Sequence, residues 1–272
     1  MVALKSHIKM IIAASAVPPR FILSTVNQYS VTILCLNSTL LFLLCDEIKQ
    51  KIYDVSSLQK IYVSAVILND AIYEKAKRVL TDISVFNVYG LSETCPRITA
   101  QTSDCCKRNS VGKPIMGVEI TITDENGISV PNEVRGIIHV KTPSLFSGYV
   151  MGEKKYASFY QDWLNTGDVG FCDKFEELHV VGRVDNIIIC DAYKVYPADV
   201  EKLILQDPLI SDCAVSRCTV NGTEVIGCLY VSNRHCSIDI VHRLKEKLAR
   251  YEIPKRFLRV EVNPHNNRGK ID

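Results

Sequence analysis

The chain has 272 residues, 47% of them apolar and 23% charged, with a net charge of +2. That length supports a substantial core, as one large domain or two smaller ones, and the near-neutral balance argues against nucleic acid or an anionic membrane as partner. Eleven cysteines, an odd number with Cys105 and Cys106 adjacent and no C-x-x-C pair, suit neither a zinc site nor a disulfide framework. Reduced thiols in a cytoplasmic protein are the expectation.

Two apolar runs open the chain, Met10 to Val17 and Val31 to Cys45. Asn37, Ser38 and Thr39 interrupt the second, and neither reaches the roughly 18 uninterrupted apolar residues of a membrane span. No integral membrane segment is expected. Lys5 and Lys9 before a short apolar run leave a signal peptide as an alternative for residues 1–17; buried core elements are the preferred reading of both runs. Residues 1–85 alternate helical and strand-like patterns. Lys60 to Ser64 reads as a strand, Asp70 to Leu80 as a helix and Ile83 to Val88 as a second strand, which together make the βαβ unit of an α/β sheet.

The strand runs into Asn87-Val88-Tyr89-Gly90-Leu91-Ser92-Glu93. Gly90 permits a backbone turn. A flat aromatic, a hydroxyl and a carboxylate are then presented beyond the strand, where α/β sheets place ligands. The Ser92 hydroxyl suits phosphate oxygens and the Glu93 carboxylate a hard divalent cation. The plainer alternative is a turn in which Ser92 caps a helix and Glu93 lies near its positive end. Ser110 to Tyr149 is a strand-and-turn region with a hairpin turn at Asn126-Gly127. Thr166-Gly167-Asp168 places a carboxylate in a glycine-permitted turn. That carboxylate either accepts hydrogen bonds from both hydroxyls of a ribose or is a simple turn former.

His179 to Glu201 is the stretch around which the rest is organised. A β-rich run, His179 to Val181, breaks at Gly182-Arg183 and leads through Asp185 into Ile187-Ile188-Ile189. Pro197 then suits the first turn of a helix, with Asp199 and Glu201 at its positive end. This is either a junction between two structural units or an ordinary β-turn-β-α corner. Residues 186–272 read as a small α+β domain. Its elements are a helix from Asp199 to Leu205, strands Cys213 to Arg217 and Glu224 to Ser232, an amphipathic helix Ile238 to Arg250 and a last strand Phe257 to Val262. The chain ends Asn267-Arg268-Gly269-Lys270-Ile271-Asp272.

In this order, these motifs resemble those of the adenylate-forming (AMP-binding) enzymes, the superfamily of acyl-CoA synthetases, aryl-CoA ligases, luciferases and peptide-synthetase adenylation domains. Tyr89 to Glu93 is similar to its Y-G-x-T-E, with Ser92 for Thr. Gly112, Pro114, Gly117 and Glu119 match G-x-P-x-x-G-x-E, and Phe146-Ser147-Gly148-Tyr149 fits the segment that follows. Thr166-Gly167-Asp168 matches T-G-D, Gly182-Arg183-Val184-Asp185 matches the hinge G-R-x-D, and Gly269-Lys270 matches the terminal G-K. There are departures. The adenine-binding turn, usually Gly- and Ala-rich, reads Ser64-Ala65-Val66; Gly136-Ile137-Ile138 lacks the usual acid; Ile189 and Ala192 replace a frequent Lys and Gly.

The resemblance implies an α/β plus α+β fold. Residues 1–184 would be the C-terminal part of a large AMP-binding domain, with a β-rich subdomain at about 110–180, and residues 185–272 a small mobile domain hinged at Asp185. It implies an acyl- or aryl-acid ligase that forms an acyl-adenylate from a small carboxylic acid and ATP, then transfers the acyl group to coenzyme A. The alternatives are loading of a carrier-protein pantetheine, or a truncated, catalytically silent remnant. By resemblance, Glu93 holds Mg²⁺ and is catalytic with Lys270, which bridges carboxylate and phosphate oxygens. Tyr89 lines the adenine, Gly90 and Ser92 belong to the same nucleotide site, and Asp168 with Arg183 holds the ribose. Ala192, Tyr193 and Lys194 form the loop of the thiol step. The first glycine of the sequence is Gly90, so the family's glycine-rich phosphate loop is not among these residues. The expectation is a chain corresponding to the C-terminal half to two-thirds of such an enzyme.

Overall fold

The computed structural model describes residues 7–13, 17–50, 53–64, 68, 70–94, 97–149, 159–160, 162–190, 193–220 and 222–261. Helix α1 (Pro19–Tyr29) starts on a proline and buries Ile22, Leu23 and Val26. Strand β1 (Ile33–Asn37) passes directly into α2 (Ser38–Gln50). The polar interruption in the second apolar run is that helix start: Asn37 Oδ1 accepts the Leu40 N–H at 2.8 Å, satisfying a donor the helix cannot. Then follow β2 (Lys60–Ser64), α3 (Asp70–Val79) and β3 (Ser84–Tyr89), so the expected βαβ unit is present and is preceded by another. Strands β1, β2 and β3 are parallel. Short β4 (Thr99–Ala100) and β5 (Lys113–Pro114) extend the sheet antiparallel, in the order β1-β2-β3-β4-β5. Leu23, Leu41, Leu44, Cys45, Ile61 and Val63 form its core.

One expectation fails here. Of the Met10 to Val17 run, Met10 to Ile12 is not a buried core element, Ile12 being 80% exposed; residues 14–16 lie outside the described residues, and Val17 packs against the first core. Residues 8–13 form neither helix nor strand, so the run has no periodic face to lay against the sheet.

The second sheet is antiparallel. It consists of β6 (Glu119–Thr123), β7 (Gly136–Lys141), β9 (Trp163–Cys172) and β10 (Leu178–Arg183), in the order β10-β9-β7-β6, with β8 (Phe159–Tyr160) paired to β9. Ile98, Val111, Ile122, Ile138, Val140 and Leu178 pack beneath it. The Asn126-Gly127 turn is as expected, fastened by Asp124 Oδ1, which accepts the N–H groups of Asn126 and Ile128 at 2.9 and 2.8 Å.

A third core lies beyond residue 187. Hairpin β11 (Ile188–Cys190) and β12 (Tyr193–Val195) leads to α4 (Pro197–Ile204), β13 (Ile210–Val220), β14 (Thr223–Ser232), α5 (Ser237–Lys245) and β15 (Arg256–Val260). Strand β14 pairs antiparallel with β13 and parallel with β15. Ile188, Val195, Val200, Ile204, Val215, Ile226, Tyr230 and Leu244 share one cluster. Helix α5 ends five residues earlier than its apolar spacing suggests; Leu248, in the turn beyond it, still packs against this core. Strand β13 is longer than expected because its ladder to β14 continues to the hairpin tip. Cys213, Cys228 and Cys236 are buried in the third core and Cys45 in the first, whereas Cys35 and Cys106 are exposed. Among the described residues no helix is long and apolar enough to cross a membrane.

Candidate functional site

The carboxylate of Asp168 is placed by a fault in a ladder. Between β7 and β9 the register steps from Ile137↔Val169 to His139↔Asn165, so Thr166, Gly167 and Asp168 together oppose Ile138. The motif expected as a turn is therefore a β-bulge inside the long strand β9, a device that re-aims a side chain. Thr166 Oγ1 donates to the Ile138 carbonyl at 2.8 Å and accepts the Asp168 N–H at 3.0 Å. Gly167 takes φ +70, and its N–H donates to Asn165 Oδ1 at 2.9 Å. That backbone is one a side chain would strain.

Asp168 is 6% exposed. Its Oδ2 accepts the Tyr89 hydroxyl at 2.6 Å, and its Oδ1 lies 3.1 Å from Arg183 Nη1. Arg183 also reaches the Thr166 carbonyl at 3.4 Å through Nη2. Burial, then the Asp168 charge and the hydrogen bond to it, holds the Tyr89 phenol well above the ordinary tyrosine range, so that hydroxyl is a fixed donor. Tyr89 ends β3 of the first sheet, while Asp168 and Arg183 are register partners in the second. The cluster thus sits where the carboxyl end of the parallel strands meets the antiparallel sheet.

Four residues beyond Tyr89 stands Glu93, in a single 3₁₀ turn, Ser92–Thr94. Gly90 is not among the described glycines with positive φ, so a left-handed backbone is not what the motif's glycine supplies. The hydroxyl that closes the turn belongs to Thr94: its Oγ1 donates to the Leu91 carbonyl at 3.0 Å, while Ser92 stays exposed. Glu93 Oε1 accepts the Tyr149 hydroxyl at 2.6 Å, and the Glu93 carbonyl accepts the Phe146 N–H at 2.9 Å. Burial and the Glu93 carboxylate push the Tyr149 phenol up to about 12. The Arg183 charge opposes this shift on Tyr149 and on Tyr89 alike. A cleft of 550 Å³ opens beside Phe146, lined also by Lys141, Thr142, Leu145 and Asp162.

Asp185 is exposed on a one-turn 3₁₀ helix, Val184–Asn186. In the hairpin that follows, Tyr193 stacks on Tyr251 with ring centroids 4.4 Å apart, and Lys194 forms an ion pair with Glu125. A further pair, Arg135 to Asp199, joins the second sheet to α4, with the Arg135 guanidinium 4.8 Å from the Tyr196 ring. Ala192, Lys270 and the Ala65-Val66 part of the adenine turn lie outside the described residues. Tyr89, Asp168 and Arg183 are therefore brought together and Gly90, Ser92 and Glu93 adjoin them, whereas Tyr193 and Lys194 occupy a separate hairpin. Thr166 and Tyr149 were missed as functional candidates. Thr166 was visible as the first letter of its motif; nothing local marks Tyr149 as a partner of Glu93.

Among the described residues no group of three or more His, Cys, Asp or Glu could hold a metal ion. Glu93 beside Ser92 fits a different mode of binding. Mg²⁺ is commonly held by one or two carboxylates together with substrate phosphates and water.

The chain resembles known proteins throughout. The family profile described as AMP-binding enzyme matches residues 1–150. A 2-succinylbenzoate–CoA ligase of Bacillus velezensis is 30% identical over 255 residues, 92% of this chain and 51% of that protein. Among solved structures, the amide bond synthetase McbA from Marinactinospora thermotolerans superposes with a TM-score of 0.85 at 26% identity, covering 93% of this chain and 53% of that one. The O-succinylbenzoate coenzyme A synthetase of Bacillus subtilis, in complex with ATP and magnesium ion, gives 0.79 at 27% identity, with the same two coverages. The chain spans about half the length of these relatives. With 150 of its 272 residues matched by the profile, the chain belongs to the AMP-binding enzyme family.

Proposed function

We propose that this chain carries the nucleotide-binding and acceptor-facing portion of an AMP-forming acid–thiol ligase whose substrate is an aryl or acyl carboxylic acid. The observation that carries this reading is the Tyr89, Asp168 and Arg183 cluster, with Glu93 one turn away, at the carboxyl end of the parallel strands. In the proposed reaction the acid's carboxylate oxygen attacks the α-phosphorus of ATP and pyrophosphate leaves. A thiol then attacks the acyl carbon of the adenylate and AMP leaves. Coenzyme A is the acceptor in this reading, in keeping with the CoA ligase and coenzyme A synthetase among the relatives.

Asp168 accepts the ribose hydroxyls, held in place by Tyr89 and Thr166. Arg183 flanks it and offsets negative charge on the ligand. The Tyr89 ring borders the adenine while its hydroxyl is engaged with Asp168. Glu93, with Ser92 beside it, holds Mg²⁺, which neutralises phosphate charge. Lys270 meets the reacting carboxylate and phosphate oxygens. Asp185 is the pivot between residues 1–184 and 185–272, and the hairpin bearing Tyr193 and Lys194 serves the thiol step.

The sequence has no glycine before Gly90, so AMP, which needs no triphosphate cradle, is the ligand for the test. Calorimetric titration of the 272-residue chain should show AMP binding that Asp168→Ala weakens about a hundredfold. Acid-dependent pyrophosphate exchange with ATP, using 2-succinylbenzoate and simpler aryl acids, then addresses the chemistry. No AMP binding, or binding indifferent to Asp168→Ala, overturns the reading.

A further inference from the structure

Glu93 is gripped twice by one short segment distant in sequence. The Phe146 N–H donates to its main-chain carbonyl at 2.9 Å, and the Tyr149 hydroxyl donates to its carboxylate at 2.6 Å. The second bond is at the short end of the phenol–carboxylate range, as a charge-assisted contact should be. Phe146 and Tyr149 also brace each other, ring edge to face, with centroids 4.8 Å apart and planes at 67°. Between them Gly148 takes φ +136, a backbone that residues with a side chain rarely adopt. The segment thus brings one backbone N–H and one hydroxyl onto a single glutamate. It crosses 56 residues of sequence to do so.

We propose that Tyr149 is a positioning residue for Glu93, fixing the carboxylate orientation in which it receives a divalent cation. This rests on the reading of Glu93 as the Mg²⁺ holder. The physical reason is general: a carboxylate that ligates a metal is itself hydrogen-bonded, and removing that outer partner typically weakens the metal by about 10–100-fold. The Tyr149 side chain is 38% exposed, which puts its effect at the lower end of that range.

The test uses Mn²⁺ as a paramagnetic stand-in, with AMP, on the full 272-residue chain. Bound and free Mn²⁺ are separated by electron paramagnetic resonance. Tyr149→Phe should raise the Mn²⁺ Kd about tenfold while AMP binding without metal and the thermal midpoint stay at wild-type values. Gly148→Ala, which keeps the phenol but strains its approach, should raise the same Kd several-fold. The inference is overturned if Tyr149→Phe or Gly148→Ala binds Mn²⁺ as wild type does. It is also overturned if metal-free AMP binding weakens in step, because the segment is then only structural. Glu93→Gln separates this failure from that of the reading beneath it: if Glu93→Gln also binds Mn²⁺ normally, Glu93 is not the metal holder at all.

Discussion

Two carboxylates define this site, and the chain holds them by opposite means. Asp168 is buried within a bulged strand, its backbone clasped by Thr166 and its oxygens engaged by Tyr89 and Arg183. Glu93 stands half-buried on a single 3₁₀ turn and is held from outside by a distant tyrosine. The first arrangement presents fixed acceptors to a ligand of fixed shape such as a sugar diol. The second leaves room for an ion that brings its own water and phosphate ligands. Rigid sheet and pliant turn are thus matched to the two kinds of ligand proposed for them.

The largest effect that tests this contrast is loss of Asp168. Asp168→Ala takes the charged partner from the Tyr89 hydroxyl and the carboxylate from Arg183, a cost of about 1–3 kcal/mol. AMP affinity should fall about a hundredfold, since one or two charge-assisted bonds vanish. The thermal midpoint should fall by several degrees, at roughly 2–4 °C per kcal/mol. Glu93→Ala should change stability by no more than about 0.5 kcal/mol and leave metal-free AMP binding intact. Calorimetry and thermal melts on both variants decide the matter, and equal losses would break the contrast.

Next in size is Thr166→Val, which removes the clasp without touching the ligand. A buried carbonyl and the Asp168 N–H both lose their partner, at about 1–2 kcal/mol. AMP affinity should fall with stability in the same variant, by roughly tenfold. Melts that fall while AMP titrations stay unchanged would show that the bulge is scaffold alone.

A third carboxylate supplies a pH-dependent measure of the same sheet. Asp173 sits in the β9–β10 connection. Burial raises its pKa, but the Lys107 ammonium, the N–H groups of Glu177 and Phe175, and His179 outweigh that and hold it at about 2. A depressed folded-state pKa contributes stability that is full above the ordinary carboxylate value near 4 and is lost as pH falls through about 2. Asp173→Asn should therefore melt below wild type at pH 6, and the gap should close on acidification to pH 2. A gap independent of pH would exclude this linkage.

The smallest effect is expected at Arg135. Its pair with Asp199 is about one-third exposed on each side, so Arg135→Ala should cost only about 0.5 kcal/mol. We expect limited proteolysis within residues 182–194 to release a stable fragment of about 186–272, faster in this variant. The separate core beyond residue 187 supports that division. An aggregated C-terminal piece would show that the third core does not stand alone.

The elements that carry the site were legible wherever local chemistry sets them. The βαβ unit followed from two β-rich runs flanking a helical stretch, and α4 followed from Pro197 and its acidic first turn. Tyr89, Asp168 and Arg183 were nominated separately by short motifs, and the fold joins them. The bulge was not legible, because it exists only in the register between β9 and β7, and Thr166-Gly167-Asp168 alone has the composition of a turn. The Tyr149 contact was hidden for a related reason: a bond between residues 56 apart leaves no local pattern. Met10 to Ile12 misled because apolar content without periodicity does not say what the residues pack against.

The distribution of thiols makes the protein a reporter of its own opening. Cys35 and Cys106 face solvent, and an alkylating pulse should consume them at once. Cys45 lies in the first core with its thiol pushed up to about 11, chiefly by burial; Cys228 lies in the third, pushed to about 12, and Cys213 is raised further still. Little thiolate exists at these positions at neutral pH, so labelling there waits for the core around each to open. Peptide mapping after timed pulses would give separate opening rates for the two cores from a single unmodified sample. The buried cysteines thus serve as clocks, one set for each core.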